Sequence, residues 1–461
     1  MTVHNHQSVS QPSLDRALGP FAATLLVIGG IVGSGIFLTT GVMAKALPSA
    51  PLILLAWIVG GLFALAGALT YAEMGTMFPR SGGVYVFLRE AFGPLPAFLY
   101  GWACLLVVLS GGVAAVAVGF ADYLSYFFPA LSHAHVLISV PVGSWTWTLS
   151  AGQITGVLSI LFLGSVNYLG VRSGSGTNAV LTIAKIAGLA MLPIFLLVSG
   201  RASAPAFTPI VPASVPSPLV AFGVAMIAVL WANDGFYFLT YAAGEVRDPA
   251  RTLPRALTFG LLSVLAIYLI VNLTYVFALP MDQLAGATRV AERAATALVG
   301  PHGATMVALT VVVSTFGCNA AAILAGSRLL FAMAADGLFF PAAARVHPRY
   351  RTPHVAVAGI TIWSALLALS GTYEQLFTYV VFTSVLFSLF GGLALFRLRL
   401  TQPRTPRPYR TWGYPIVPAL FVMGSLAVVL NTLLEKPVES IAGLGLLALG
   451  LPAYWYWRKR T

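Results

Sequence analysis

Charged residues are scarce in this sequence: they make up 8% of its 461 residues, and only 13 are acidic. An average soluble protein holds about 25% charged residues. With 58% hydrophobic residues and a mean hydropathy of +0.89, the chain has more apolar surface than a water-soluble fold can bury. Its uncharged runs reach about twenty residues, the length that crosses a bilayer core of about 30 Å. The composition therefore predicts an all-α integral membrane protein.

Cysteines and recognisable catalytic motifs are also few. Cys104 and Cys318 fall inside apolar segments, so the sequence does not indicate a disulfide framework. No Walker loop, zinc motif or nucleophile elbow occurs in a usable context, which argues against an ATP-driven pump and an intramembrane hydrolase. We therefore expect no enzymatic activity, no cofactor and no bound metal ion.

Hydropathy predicts twelve membrane spans, with approximate bounds 20–44, 52–78, 95–121, 150–166, 178–199, 218–243, 256–279, 303–333, 355–370, 375–396, 413–432 and 439–457. An even number places the two tails, 1–19 and 458–461, on one side. Eighteen of the 25 basic residues lie on that side, so the positive-inside rule predicts cytoplasmic termini in the plasma membrane. Their scatter over short loops argues against a nucleic-acid partner. The Arg397 to Arg410 cluster could contact anionic lipid, although the rule alone accounts for it.

Two of the predicted spans contain residues that disfavour a helix near their middle. The first holds Gly33-Ser34-Gly35, and a glycine weakens a helix by about 1 kcal/mol relative to alanine. Close helix packing would explain that motif if it stood alone. The sixth span, however, holds Asn233-Asp234-Gly235, and an aspartate at the bilayer centre should face a cavity, a partner or water. Both spans are therefore predicted to be broken at the membrane midplane.

The distance between these two spans predicts an internal repeat. The sixth span follows the first at an interval of five spans, as expected when five helices are repeated in inverted orientation, with 20–199 as the first repeat, 218–396 as the second and 413–457 as two further helices. A broken helix exposes N–H groups that bind an anion and C=O groups that bind a cation. An α-amino acid carries both charges on adjacent groups, and we therefore predict it as the ligand.

Lys185 is one of only four lysines and lies about seven residues inside the fifth span. It could snorkel to the surface or bond a carbonyl statically. Alternatively it is a built-in cation that joins the broken first helix to the eighth span, where other transporters hold a metal ion. A buried lysine can also exchange a proton during a transport cycle. Ser314, Thr315 and Cys318 are the eighth-span candidates to meet it, and we favour Ser314.

Four segments together resemble the amino acid–polyamine–organocation superfamily, and within it the L-type amino acid transporters and their bacterial homologues. The segments are GGIVGSGIFL (29–38), YAEMGTMFPRSGGVYVFLREAFG (71–93), ANDGFYFLTYAAGEVRDPARTLPRA (232–256) and STFGCNAAAILAGSRLLFAMAADG (314–337). The resemblance covers spans one to ten in order. It implies the LeuT-type fold of five plus five inverted helices, with two extra helices.

The resemblance also implies roles for individual residues. The substrate carboxylate would bind the backbone of Gly33-Ser34-Gly35, and the amino group would bind carbonyls near Ile31, Trp231 and Asp234. Trp231 matches the family's aromatic gate, and Asn233 and Gly235 complete the predicted site. Asn233 and Phe236 depart from the Tyr-Asp-Gly-Trp of many bacterial relatives, so a substrate list is not carried over. Lys185 matches a lysine that replaces the sodium site.

In the family that this chain resembles, the animal members pair with an ancillary glycoprotein through a cysteine in the outer loop after span three. No cysteine occurs between Asp122 and Ser150 here, so a disulfide-linked ancillary subunit is not expected. We predict a sodium-independent exchanger of small to medium neutral L-amino acids that works by alternating access. Proton symport stays open, and so does transport of cationic amino acids or polyamines through Asp234. An ion channel would need a continuous polar stripe, which is not found. Ion pairs are expected locally, between Glu73 and Arg80 and between Arg328 and Asp336.

Overall fold

A computed structural model of the chain describes residue 16 and residues 18–142, 145–169, 174–202, 210–211, 215, 217–370, 373–435 and 437–458. In the first half the helices and strands are α1 (Pro20–Ile31), α2 (Gly35–Ala46), α3 (Ala50–Met77), α4 (Val84–Phe92), α5 (Pro94–Ala103), α6 (Leu109–Leu124), β1 (Val136–Val142), β2 (Trp145–Ser150), α7 (Ala151–Leu169) and α8 (Gly174–Ser199). A π-helical turn, Cys104–Val108, joins α5 to α6 and makes them one continuous span.

Within the described residues, the second half of the chain continues with helices. They are α9 (Pro218–Asn233), α10 (Phe238–Tyr241), α11 (Pro249–Ala278), α12 (Met281–Leu284), α13 (Val290–Val299), α14 (Pro301–Ala335), α15 (His354–Ala368), α16 (Tyr373–Thr401), α17 (Ile416–Glu435), α18 (Pro437–Ala448) and α19 (Gly450–Arg458). Single 3-10 turns occupy Pro129–Leu131, Ala243–Glu245 and Pro341–Ala344.

The chain is a multi-pass membrane protein built from apolar helices. Among the described residues, nine helical segments are long and apolar enough to cross a membrane, counting α1 with α2 and α5 with α6 as single segments. The predicted sixth and ninth spans correspond to the shorter apolar helices α9 and α15. The predicted twelfth span is divided between α18 and α19. The count of twelve and the inverted-repeat arrangement therefore stay predictions.

The first and sixth spans are interrupted where the sequence predicts. Helix α1 ends at Ile31, Val32 is extended with ψ 91°, and α2 begins at Gly35. Helix α9 ends at Asn233, where Asp234 is extended with ψ 151° and Gly235 has a φ of 95°. That positive φ is readily adopted only by glycine. The chain then resumes a helix for only four residues in α10.

Small residues bring the helices close enough to enclose a site. A Cβ atom on Gly60 would lie 2.1 Å from the side chain of Val229, and one on Gly188 would lie 2.1 Å from Thr310. Such contacts allow α3 to approach α9 and α8 to approach α14. Helix α1 packs against α11, and α2 packs against α9, so both interrupted spans lie inside the helix bundle.

The segment between α6 and α7, which lies outside the predicted spans, contains regular structure. Strands β1 and β2 pair antiparallel as a two-stranded hairpin. Their β-branched and aromatic residues (VLISVPV and WTWTLS) favour extended backbone. The Trp147 indole N–H donates to the Leu369 carbonyl at 3.0 Å, which fixes the hairpin to the end of α15.

The two ion pairs expected from proximity in sequence are wrong. The carboxylate of Glu73 is bound by Arg399 through two hydrogen bonds of 3.0 and 2.7 Å, and Arg407 lies 3.3 Å away. Arg80 pairs with Glu90 instead. These partners lie on other helices and loops, so their distance along the chain gave no indication of the contact.

Arg328 and Asp336 also take partners other than each other. Arg328 donates to Glu245 at 3.1 Å, from α14 to the turn after α10. Asp336 pairs with Arg89 and accepts a 2.9 Å hydrogen bond from the Tyr85 hydroxyl. Burial raises the pKa of Tyr85, so its hydroxyl stays protonated and remains a donor. These contacts join α4 and the α10 turn to the end of α14.

Candidate functional site

The two helix interruptions face each other across a cavity. Its lining is formed by Gly30, Ile31, Gly33, Ser34, Gly35, Val108, Leu109, Gly112, Val116, Trp231, Asp234, Phe238, Cys318 and Ala322. The structure thus brings together six of the eight residues predicted to bind substrate. Asn233 and Gly235 are not part of this lining. The Asn233 side chain is buried and donates to the Val229 carbonyl of its own helix at 2.9 Å.

Glycines allow the two interrupted spans to approach each other closely. A Cβ atom on Gly35 would lie 2.5 Å from the Cα atom of Ala232, and one on Gly235 would lie 2.8 Å from the Gly30 carbonyl oxygen. Both distances are shorter than real Cβ contacts, so any larger residue would push the backbones apart. Gly235 therefore supports the fold of the site through close contact and through its positive φ.

Tyr268 of α11 ties the two interrupted spans together. Its buried hydroxyl lies 3.2 Å from the Ile31 carbonyl and 3.0 Å from the Ala232 carbonyl. Two helical turns further along α11, the Tyr275 hydroxyl donates to the Ile36 carbonyl at 3.2 Å. These tyrosines bind carbonyls freed by the interruptions, and neither was predicted from the sequence. Their seven-residue spacing, which places both on one face of α11, was the available signal.

Lys185 of α8 is buried and its ammonium group lies at the end of α1. It donates to the Gly29 carbonyl at 2.9 Å and to the Val32 carbonyl at 2.8 Å. The Ser314 hydroxyl of α14 donates to the same Val32 carbonyl at 3.2 Å. The lysine and the favoured serine thus converge on one oxygen atom and link α8, α1 and α14.

The other two eighth-span candidates behave differently. The Thr315 hydroxyl donates to carbonyls of its own helix, those of Val311 and Val312. The thiol of Cys318 lies 3.5 Å from the Gly30 carbonyl and also lines the cavity. Cys318 is therefore the one of the three that a ligand in the cavity would cover.

The Trp231 side chain closes one side of the cavity through a chain of hydrogen bonds. Its indole N–H donates to the Tyr373 hydroxyl at 2.8 Å, and that hydroxyl donates to the Ser34 hydroxyl at 3.0 Å. Trp231 also stacks on Phe377, with ring centroids 5.9 Å apart. Tyr373 and Phe377 belong to α16, and neither was predicted from the sequence.

A second set of contacts, made by residues outside the cavity lining, holds the start of α1. The Leu18 amide donates to the Glu245 carbonyl at 2.9 Å, and the Arg247 amide donates to the Leu18 carbonyl at 2.8 Å. The Arg328–Glu245 ion pair lies in the same region and holds α14 to this segment. The start of α1 is thereby attached to the chain that follows α10.

The Asp234 carboxylate is engaged by α16. The Ser384 hydroxyl lies 3.3 Å from its Oδ1 atom, and the Tyr237 hydroxyl lies 3.1 Å from that of Ser384. Asp234 and Ser384 line a second, smaller cavity together with Asn233, Phe236 and Ser388. Asp234 thus stands between the two cavities, with its side chain bonded on the α16 side.

The main cavity combines polar backbone with apolar side chains. The helix interruption supplies the backbone of residues 33–35, while Val108, Leu109, Val116, Phe238 and Ala322 supply hydrocarbon. Gly112 leaves space, since its Cβ atom would lie 4.0 Å from the Trp231 ring. Within the described part of the chain, no group of three histidine, cysteine or acidic side chains could hold a metal ion. Such a lining can hold a small zwitterion with an apolar side chain.

Comparison with known proteins agrees with this geometry. The sequence model described as amino acid permease matches residues 18–445. The chain belongs to the amino acid permease family. It is therefore a member of the amino acid–polyamine–organocation superfamily, related to the L-type transporters as the motifs indicated.

Three curated relatives of this permease are named as amino acid transporters, and each matches most of its own length and most of this chain. The serine/threonine exchanger SteT of Bacillus subtilis is 31% identical over 452 residues, which cover 97% of this chain and 98% of the relative. The branched-chain amino acid permease BcaP of the same bacterium is 28% identical, covering 98% and 94%. The human b(0,+)-type amino acid transporter 1 is 29% identical, covering 94% and 85%. These relatives are permeases rather than enzymes, and they support amino acid transport as the function.

Proposed function

We propose that this permease is a sodium-independent exchanger of small to medium neutral L-amino acids in the plasma membrane. It would work by alternating access, with both termini in the cytoplasm and inverted repeats at 20–199 and 218–396, and the interrupted first and sixth spans would rock against the remaining helices. Substrate would bind in the cavity between the two interrupted spans. The observation that carries the proposal is this cavity, which faces polar backbone on one side and hydrocarbon on the other.

The substrate's two charges match the ends of the interrupted helices. The amides of Gly33, Ser34 and Gly35 lie at the N-terminal end of α2, where the helix dipole favours a carboxylate. The carbonyls near Ile31, Trp231 and Asp234 lie at the ends of α1 and α9, where the dipole favours an ammonium group. Because both ends line one cavity, a single α-amino acid can satisfy them together.

The side chain of the substrate would be neutral. Val108, Leu109, Val116 and Ala322 present hydrocarbon to the cavity, and the carboxylate of Asp234 is bonded to Ser384. The relatives' names point the same way, since one exchanges serine and threonine and another carries branched-chain amino acids. A cationic substrate would have to separate Asp234 from Ser384.

The position of Lys185 supports sodium independence. Its ammonium group occupies the position between the Gly29 and Val32 carbonyls and shares Val32 with Ser314. A sodium ion bound to the same oxygens would lie against a positive charge, which costs free energy in a buried site. A lysine that stays protonated suits exchange, whereas proton symport requires it to release its proton in each cycle.

Counterflow in proteoliposomes tests the proposal. Vesicles loaded with alanine, serine, threonine, leucine, arginine or no amino acid would receive labelled alanine outside, in sodium or choline buffer, with and without a pH gradient. We expect uptake that depends on a neutral amino acid inside and is equal in both buffers. Uptake into empty vesicles driven by a pH gradient would show proton symport rather than exchange. Stimulation of uptake only by internal arginine would favour a cationic substrate.

Labelling of Cys318 tests the location of the site. Cys318 lines the cavity, whereas Cys104 is buried in the π-helical turn. In a Cys104→Ala background, a membrane-permeant maleimide should label Cys318, and transported amino acids should protect it at concentrations near their KM. Protection by transported and non-transported amino acids alike would show that the cavity is not the binding site.

A further inference from the structure

A groove lies on the outer surface of the helix bundle, away from the transport cavity. It has a volume of about 410 Å³ and is lined by residues of α7 and α15, including Leu161, Ser165, Tyr168, Leu169, Val357 and Ile362. Leu161, Leu169 and Ile362 are 41%, 57% and 58% exposed. Exposed aliphatic residues on membrane-spanning helices face lipid, so hydrocarbon chains have access to this groove.

One end of the groove meets a turn that carries three arginines. We call residues 345–354 the arginine turn; it contains Arg345, Arg349 and Arg351, all exposed. The Tyr168 ring lines the groove and lies 6.2 Å from the ring of Tyr350, and the Arg349 guanidinium lies 5.6 Å from the Tyr350 ring. A continuous series of contacts thus leads from the groove through the Tyr168 and Tyr350 rings to the charge of Arg349.

Hydrogen bonds fix the arginine turn in place. The Arg349 and Tyr350 amides donate to Nδ1 of His347 at 3.2 and 3.3 Å, and the Arg351 amide donates to the His347 carbonyl at 2.9 Å. The Thr352 hydroxyl donates to the Tyr168 carbonyl at 2.9 Å, which fastens the turn to the end of α7. A fixed turn loses little conformational entropy on binding a ligand.

Among the residues that the structure describes, the charges of the arginine turn have no acidic partner. Within the described residues, no carboxylate forms an ion pair with Arg345, Arg349 or Arg351. The Arg397 to Arg410 cluster differs from the arginine turn, because its Arg399 and Arg407 both form ion pairs with Glu73. The arginine turn therefore presents unpaired positive charge at the mouth of an apolar groove.

We infer that this groove binds one anionic phospholipid, with an acyl chain along α7 and α15 and the phosphate at Arg349 and Arg351. Positive charge joined to a lipid-facing channel matches both parts of such a molecule. Inorganic phosphate shares the headgroup chemistry but has no part that fits the groove. With the proposed cytoplasmic termini, the arginine turn lies at the inner leaflet of the membrane. Binding of the lipid itself does not depend on that orientation.

Native mass spectrometry of the purified full-length permease tests this inference. The probes are dioleoyl-phosphatidylglycerol and dioleoyl-phosphatidylcholine, which share their acyl chains and differ in net charge. We expect tighter binding of the phosphatidylglycerol. Because a basic residue near a lipid surface contributes about 1 kcal/mol, or about fivefold, the double variant Arg349→Ala/Arg351→Ala should lose about 30-fold of that affinity.

Two control variants and one competitor separate the possible outcomes. Arg404→Ala/Arg410→Ala removes two exposed arginines from the other loop and should leave binding unchanged. Ser165→Trp fills the groove at an exposed position and should block the lipid, whereas Val166→Trp, on the same helix but outside the lining, should not. Elution profiles on size exclusion check folding. Equal losses in both arginine pairs, or displacement of the lipid by inorganic phosphate with no effect of Ser165→Trp, would overturn the inference.

Discussion

The hydroxyl of Tyr373 lies 3.0 Å from the hydroxyl of Ser34, and it also accepts the indole N–H of Trp231 at 2.8 Å. One oxygen atom therefore connects α16, the interruption after α1 and the end of α9. Ser34 belongs to the backbone proposed to bind the substrate carboxylate, and Trp231 is the proposed gate. Tyr373 is thus in a position to transmit substrate binding to closure of the gate.

Tyr373→Phe should weaken transport without removing the ring that packs on Phe377. The change leaves the buried indole N–H of Trp231 without its acceptor, which costs about 1–2 kcal/mol. Since closure and binding are coupled, we expect KM for exchange to rise about 5- to 30-fold. Initial rates of counterflow over a range of substrate concentrations measure this. Tyr379→Phe, which removes a half-buried hydroxyl from the same helix, should change KM by less than about twofold.

Lys185→Ala should abolish most exchange activity. The substitution removes the charged donor of both the Gly29 and Val32 carbonyls at the end of α1. Hydrogen bonds from a charged group contribute about 1.5–3 kcal/mol, which corresponds to a loss of about 10- to 100-fold in kcat/KM. Exposed Lys45→Ala is the matched control and should retain activity. Full activity of Lys185→Ala in choline buffer would contradict the built-in-cation role.

The parts of the site that could be predicted from sequence are those that depend on local composition. Gly33-Ser34-Gly35 and Asn233-Asp234-Gly235 disfavour a helix in any context, so the interruptions could be predicted from the sequence. Lys185 could be predicted as a candidate because it is a charged residue within an apolar run. The roles of Tyr268 and Tyr373 could not be predicted, because a tyrosine inside an apolar helix usually packs in the hydrophobic core. Only the tertiary packing shows which carbonyl or hydroxyl it meets.

Asp234→Asn should separate the neutral and cationic hypotheses. The carboxylate is bonded to Ser384 rather than left free in the main cavity, and an asparagine oxygen can accept that same hydrogen bond. We therefore expect exchange of alanine and leucine to stay within about threefold of the wild type. Selective loss of arginine exchange with alanine exchange intact would instead identify Asp234 as a receptor for cationic substrates. Uptake of each labelled amino acid by the variant measures both.

Glu73→Gln should destabilise the protein strongly. Glu73 is fully buried and accepts from Arg399 and from the Thr411 amide, with Arg407 also nearby. Removing its charge leaves two guanidinium groups together without an acid, and breaking a buried pair costs about 3–5 kcal/mol. The midpoint of thermal unfolding in detergent should fall accordingly. Glu90→Gln, which breaks the more exposed pair with Arg80, should cost no more than about 1 kcal/mol.

Gly33→Ala and Gly35→Ala should both impair the permease, but only one should be rescued by Cys318→Ala. A Cβ atom at position 33 would lie 2.8 Å from the Cys318 sulfur, whereas one at position 35 would lie 2.5 Å from the Cα atom of Ala232. Overpacking of this kind costs about 1–3 kcal/mol. Removing the sulfur relieves the first clash, and no side-chain truncation at 318 relieves the second.

We therefore expect Gly33→Ala/Cys318→Ala to recover most of the exchange lost in Gly33→Ala. Gly35→Ala/Cys318→Ala should stay as impaired as Gly35→Ala. Cys318→Ala alone gives the baseline, since it removes only a 3.5 Å contact between the thiol and the Gly30 carbonyl. Counterflow rates normalised to protein in the vesicles provide the comparison. Equal rescue of both glycine variants would mean that Cys318→Ala acts on stability in general, and the close approach of α14 to the first interruption would not explain the need for glycine at position 33.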